Sequence, residues 1–382
     1  MNRAKNHTLT ALFFAIFILL TLSCSATKNR AVWFWASTSS IYGSASIVGT
    51  PVRETQTLDF FNGHGIKKVY GSYQNRPVSE PATIATWNAK LNAAGIESQF
   101  LMSENSWIFP SNHGGFLDKI TDRVINFNAG RPAAEQFDGL HLDIEPQALT
   151  DFKDGTPTLK RDYLNLLRNT YAAVRTHFVT NGLPDFPVYA DLPVWFDSSS
   201  SIGWTDTAER DAWYAAISTN LTGVSLMPFE RDTFSNIDNG VNWERANITN
   251  ATVRIGLETD IGAGATWPTS LDFNAMMETM ETNYGTDEAT DIQAYAIWRQ
   301  KLTAEAFGSV GVAIHAIPGT KQAGLQFDTE TNTTYAILHT INLCNWQEIA
   351  RFRSAETIST NITVSTSAPV GFWKVRHLIP LK

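Results

Sequence analysis

From Arg30 to Lys321 the chain repeats one theme eight times: a short apolar run rich in β-formers, then a longer stretch whose apolar residues recur at helical spacing. The runs at 31–36, 67–73, 97–102, 139–144, 188–194, 223–229, 253–258 and 310–317 are expected strands. The stretches at 55–62, 83–94, 116–126, 160–180, 208–220 and 270–284 are expected helices. Eight strand–helix units in roughly 290 residues fit a closed (β/α)8 TIM barrel, an α/β fold with a typical length of ~250 residues. A doubly wound open sheet would show the same alternation. It would also need a glycine-rich phosphate turn after its first strand, and Ala36-Ser37-Thr38-Ser39-Ser40 is not one. The barrel is therefore expected over 30–321. From 325 to 382 short alternating runs at 334–342, 347–352, 357–366 and 370–377 follow one another without helical periodicity, which predicts a small all-β C-terminal module.

The N-terminus changes the picture in one respect. Arg3 and Lys5 precede an apolar run at 9–22 that is short for a membrane span, so residues 1–26 read as a signal segment of an exported protein. Cys24 follows Leu20-Thr21-Leu22-Ser23, which resembles a bacterial lipobox. Two outcomes stay open: a lipid anchor through Cys24, giving a cell-surface or periplasmic lipoprotein, or cleavage near Ser23 or Ala26 and free secretion. Only Cys344 would then remain, so no intrachain disulfide is expected. The net charge of -8, with no cluster of Lys and Arg, disfavours nucleic acid as a partner. The 12 Trp, 10 Tyr and 22 Phe mostly fill a core, yet they also suit a glycan partner, because flat rings pack on the apolar faces of sugars.

The candidate chemistry lies on the fourth strand. Side chains alternate along a strand, so Leu140, Leu142 and Ile144 share one face while His141, Asp143 and Glu145 share the other. The apolar set must meet the helices, which points the polar set into the barrel, rising toward the C-terminal rim where barrel active sites form. Burying a carboxylate without partners costs several kcal/mol, so three ionisable groups in a row argue for use rather than decoration.

The segment Asp138-Gly139-Leu140-His141-Leu142-Asp143-Ile144-Glu145 resembles the D-G-x-D-x-D-x-E signature of family 18 glycoside hydrolases, the chitinase-like barrels. On the sixth strand Met227-Pro228-Phe229-Glu230 stands where that family carries M-x-Y-D. The resemblance implies that Glu145 is the general acid and that Asp143 orients a substrate acetamido group, which itself attacks the anomeric carbon. His141 replaces an inner Asp and Phe229 replaces a Tyr of the pattern, while Glu230 offers a partial substitute. The C-terminal module loosely resembles the β appendages of exported bacterial enzymes, through Asn342-Leu343 before Trp346 and the run Gly371-Phe372-Trp373-Lys374-Val375-Arg376.

Other inward positions follow from the same alternation. Glu258 on the seventh strand is a possible nucleophile in a retaining pair with Glu145, a route ranked just behind the substrate-assisted one. Tyr189 and Asp191 on the fifth strand and His315 on the expected eighth are candidate sugar contacts. Trp107, in the loop after the third strand, is a candidate stacking platform. No metal-binding spacing and no cofactor motif occurs, although His141, Asp143, Glu145 and Asp191 form a mixed set of potential ligands. The expectation is an exported glycoside hydrolase-like barrel acting on an extracellular polysaccharide or glycan. The alternative is a non-catalytic, lectin-like barrel that binds a glycan without cleaving it.

Overall fold

The computed structural model describes residues 28–37, 39–285 and 288–307, together with six strands beyond them. The signal segment, Cys24 and Cys344 lie outside the described residues. Eight parallel strands close on themselves in sequence order: β1 (Arg30–Phe34), β2 (Ile66–Gly71), β3 (Glu97–Ser103), β4 (Gly139–Asp143), β5 (Val188–Pro193), β6 (Gly223–Met227), β7 (Thr252–Leu257) and β8 (Ala289–Ile292). One long helix follows each strand: α1 (Pro51–Gly63), α2 (Pro81–Ala93), α3 (Pro110–Ile120), α4 (Pro157–Thr180), α5 (Thr207–Asn220), α6 (Phe234–Asn247), α7 (Ser270–Tyr284) and α8 (Tyr295–Phe307). This is the (β/α)8 barrel.

Helix starts follow local chemistry. α1 to α4 each open on a proline, whose missing N–H costs nothing in a first turn, so they begin several residues before the first periodic apolar position. Side chains of Thr156, Asp206, Thr233 and Thr269 cap α4 to α7, and Thr269 with Asp272 forms a reciprocal capping box.

Seven of the eight expected strands take their places in the barrel. The eighth does not. β8 is Ala289–Ile292, which pairs with β7 and β1, whereas β9 (Ala313–Ala316) pairs antiparallel with β10 (Gln322–Thr329) outside the barrel. The run at 310–317 is longer and more apolar, so it gives the stronger strand signal. The true closing strand is four residues long and carries Thr290 and Asp291, both fully buried. Beyond the barrel, two three-stranded antiparallel sheets form: β10 between β9 and β13 (Ile358–Ser365), and β11 (Thr334–Thr340) between β12 (Gln347–Arg353) and β14 (Phe372–Leu378).

The core has two shells. Outward residues of the strands, among them Val32, Phe34, Val69, Leu140, Leu142, Leu226 and Ile255, join the helices in one large buried cluster. Inward Ala31, Trp33, Tyr70 and Leu101 form a separate cluster inside the barrel. Leu140 and Leu142 thus face the helices, and the alternation read from β4 holds.

The outer shell also holds Glu244 on α6, fully buried, accepting from Tyr214 Oη at 3.3 Å while its Oε2 finds no donor among the described residues. Burial, then the charge of Asp197, raises its pKa to about 8. A carboxyl raised on folding contributes stability that is complete below its unfolded value and lost as the pH rises through about 8. Glu244→Gln should therefore melt with the wild type near pH 4 and be the more stable protein at pH 9, by roughly 3–5 kcal/mol. Urea unfolding across that range checks it, and parallel pH curves for the two proteins would refute it.

Candidate active site

The barrel interior is stacked in layers. At the floor, the Asp291 carboxylate on β8 accepts from Arg254 Nε of β7 at 2.6 Å, Tyr70 Oη of β2 at 2.9 Å and Ser225 Oγ of β6 at 2.5 Å. Arg254 Nη2 also donates to the Asn29 carbonyl at 2.6 Å. In the middle layer His141 lies between Gln99 and Asp191, with Nδ1 2.9 Å from Gln99 Oε1 and Nε2 2.7 Å from Asp191 Oδ1. Trp33 Nε1 donates to Asp191 Oδ2 at 2.9 Å. Tyr70 stacks on the imidazole at 3.9 Å between ring centres.

Above this layer a cavity of about 380 Å3 opens at the C-terminal rim. Asp143, Glu145 and Asp191 supply its carboxyls, and Trp33, Trp35 and Phe229 supply its aromatic walls. Trp35 is fixed by donating from Nε1 to the Gln293 carbonyl at 2.9 Å. Glu145 is half-buried, just beyond the end of β4. Its N–H donates to Asn105 Oδ1 at 2.8 Å, and its Oε2 accepts from Gln147 Nε2 at 3.0 Å. Asp143 is buried, and its Oδ1 receives no hydrogen bond among the described residues. Burial first, then the charges of Asp191 and Glu145, push its pKa well above the carboxylate range. The site therefore tends to keep a proton.

The structure brings Asp143, Glu145, Asp191 and Phe229 into one cavity and sets His141 directly beneath it through Asp191. Both ring nitrogens of His141 are engaged by Gln99 and Asp191, which leaves neither for a metal. Glu258 stands at the same rim but does not line the cavity. Its Oε2 accepts from the N–H of Glu230 at 2.7 Å and from Thr266 Oγ1 at 3.4 Å. Glu230 is exposed and holds a left-handed φ of 62°, a strained conformation for a non-glycine residue, so the Glu258 carboxylate acts as a strap on a sharp bend.

Three candidates fall elsewhere. Tyr189 pairs in register with His141 at the middle layer, facing the Glu97 and Asp138 end of the barrel, below the cavity. Trp107 is buried and stacked on Phe116 at 4.3 Å, with Lys119 over its ring at 5.3 Å, so its faces are occupied by the protein itself. His315 lies on β9, paired with Gly324 of β10, and has no place on a barrel strand.

Sequence reasoning missed Gln293, Ala294 and Ile297, which line the cavity only because β8 ends at Ile292. It also missed Tyr171 on α4, whose apolar spacing reads as core. Its hydroxyl is buried without a partner among the described residues, and after burial itself the charges of Asp191, Asp143 and Glu145 raise its pKa.

No family model matches the chain, and the search of curated proteins finds no match. Solved structures that align with it include a glucosidase from Croceicoccus marinus, at 10% identity over 84% of this chain and 92% of that one, with a TM-score of 0.38. A GH18 chitinase from Pseudoalteromonas aurantia aligns at 9% identity over 72% and 98%, with a TM-score of 0.44. The catalytic domain of a beta-amylase from Paenibacillus polymyxa aligns at 8% identity over 72% and 94%, with a TM-score of 0.42. At such scores these likenesses carry no argument, and the barrel stands on its own strand order and register.

Removing Asp291 would strand the buried Arg254 guanidinium without its carboxylate. Asp291→Ala is expected to cost about 3–5 kcal/mol in urea unfolding. A loss under about 1 kcal/mol would mean that this layer does not close the barrel.

Proposed function

We propose that the protein is an exported glycoside hydrolase-like enzyme that cleaves glycosidic bonds of an extracellular polysaccharide or glycan, with Glu145 as proton donor and Asp143 as its partner. The observation that carries this reading is the pair itself: two carboxyls, one at the end of β4 and one just beyond it, at the rim of a closed barrel, in an aromatic-walled cavity that holds a third carboxyl, Asp191. Glu145 is half-buried and reachable, as a donor to a glycosidic oxygen must be. The unpartnered Asp143 Oδ1 offers a buried acceptor to a substrate N–H or O–H, and an acetamido N–H answers to it. Glu258 is engaged with Glu230 and Thr266 outside the cavity, which favours the substrate's own acetamido group over Glu258 as nucleophile. Export rests on the signal-like N-terminus, with the Cys24 sulfur as the attachment point for a lipid anchor.

A longer substrate fits what adjoins the cavity. A second hollow of about 760 Å3 shares Trp35, Ala294 and Ile297 with it and continues over Ser40, Tyr42 and Gln300. Its lining is aliphatic and aromatic with hydroxyls and one amide, and among the described residues it holds no charged side chain, which suits further neutral sugars of a chain.

One observation favours the lectin-like alternative: Phe229 lines the cavity where the resemblance calls for a hydroxyl. Hydrolysis and binding assays on a polysaccharide panel separate the two. In an enzyme, Glu145→Gln should lower turnover by at least ~100-fold with binding nearly intact. Full retention of hydrolysis in that variant would end the role of Glu145. Trp35→Ala should weaken binding of long oligosaccharides about 10-fold more than of short ones, and an equal effect at all lengths would detach the second hollow from the substrate.

A further inference from the structure

Beneath the cavity one hydrogen-bonded row crosses the barrel, and its donors and acceptors can be assigned in turn. Glu97, paired with Lys68, only accepts, so Gln99 turns its amide nitrogen toward Oε1, 2.6 Å away. The Gln99 carbonyl then faces His141, and Nδ1 must donate to it across 2.9 Å. That leaves Nε2 facing Asp191 Oδ1 at 2.7 Å, where one proton has to lie, since two lone pairs at that distance would repel in a buried site. Trp33 donates to the other oxygen of Asp191 whichever group holds that proton.

Strand register decides where the proton sits. Leu142 of β4 is level with Ala190 of β5, so the next inward pair on these adjacent strands is Asp143 and Asp191, about 4.8 Å apart at the backbone. An ionised Asp191 would set a buried negative charge beside the carboxyls of Asp143 and Glu145, away from water. We propose that Asp191 is a positioning residue, kept in its protonated form by a neutral His141, so that Asp143 and Glu145 alone carry the ionisation of the cavity. The role given to Asp143 and Glu145 here rests on the glycosidase reading; the protonation assignment does not.

Burial acts in the same direction on both partners, lowering the pKa of His141 to about 3 and raising that of Asp191 above the carboxylate range. The other charged or titratable groups around the pair are Asp143 and Glu145 above it on β4, Tyr189 beside it on β5, and Tyr70 stacked from β2. Below lie Asp291 of β8 and Arg254 of β7, which neutralise each other, and Glu97 with Lys68 at the far end of the row; Tyr171 approaches from α4.

Asn at position 191 copies a protonated Asp: its amide donates to His141 Nε2 and its carbonyl accepts from Trp33. The test joins nitrogen NMR of the wild type, labelled at histidine, with thermal unfolding of Asp191→Asn. His141 should appear as the neutral Nδ1–H tautomer from pH 8 down to about pH 4.5, and Asp191→Asn should melt within ~2 °C of the wild type between pH 5 and 8. An imidazolium at pH 7, or a drop of more than ~5 °C on breaking an ion pair, would overturn the proposal. If the protein hydrolyses a glycan, the midpoints of the pH profile in Asp191→Asn should stay within ~0.3 unit of the wild type. In His141→Gln, which frees Asp191 to ionise, they should rise by about 1 unit, because a nearby negative charge holds protons on its neighbours. Midpoints that move in Asp191→Asn instead would also overturn it. A wild type that hydrolyses nothing would end the glycosidase reading, and the NMR and melting results would still decide the state of Asp191.

Discussion

The interior of a closed barrel is packed with side chains, and a polar group that points to its axis is costly unless it finds a partner among the others. The Asp291 carboxylate meets that constraint at the floor by taking donors from β2, β6 and β7 together, so that Arg254, Tyr70 and Ser225 tie three strands to the short β8. Parallel strands so brief have few ladder hydrogen bonds of their own, and β1 and β8 share only two register pairs. The buried ion pair therefore does for closure what the ladder cannot. It also sets the two charges against each other, so that Arg254 and Asp291 largely offset one another beneath the middle layer.

Trp33 connects the layers. Its ring belongs to the interior apolar cluster with Ala31, Tyr70 and Leu101, its indole N–H fixes Asp191, and its upper part walls the cavity. Burial at the middle layer thus reaches the rim. Asp143 sits where solvent is nearly excluded and two carboxyls are close, while Glu145, one residue pair higher, is half-exposed. Two carboxyls two residues apart, one at the end of β4 and one just beyond it, thus come to lie in unlike surroundings. The rim itself is held by local devices: the Asn105 bond to the Glu145 backbone, the Trp35 bond to Gln293, and the Glu258 strap on the strained Glu230.

The sequence by itself determined the barrel and the row on β4. A strand with one face toward helices and one toward a closed interior must alternate, and Leu140, Leu142 and Ile144 against His141, Asp143 and Glu145 satisfy that rule in no other register. Alternation pointed Asp191 inward by the same means, and the resemblance on the sixth strand singled out Phe229; both line the cavity. What it left to tertiary structure has one physical cause: partners that decide a side chain's role come from distant elements. β8 was hidden because a strand carrying a buried Asp looks polar until Arg254, Tyr70 and Ser225 are beside it, and with β8 went Gln293, Ala294 and Ile297 and the misplacement of His315. Trp107 looked like a platform until Phe116 and Lys119 covered its ring. Alternation gives a side chain its direction but not its height, so only the register of β4 against β5 put Tyr189 below the cavity and Asp191 in it.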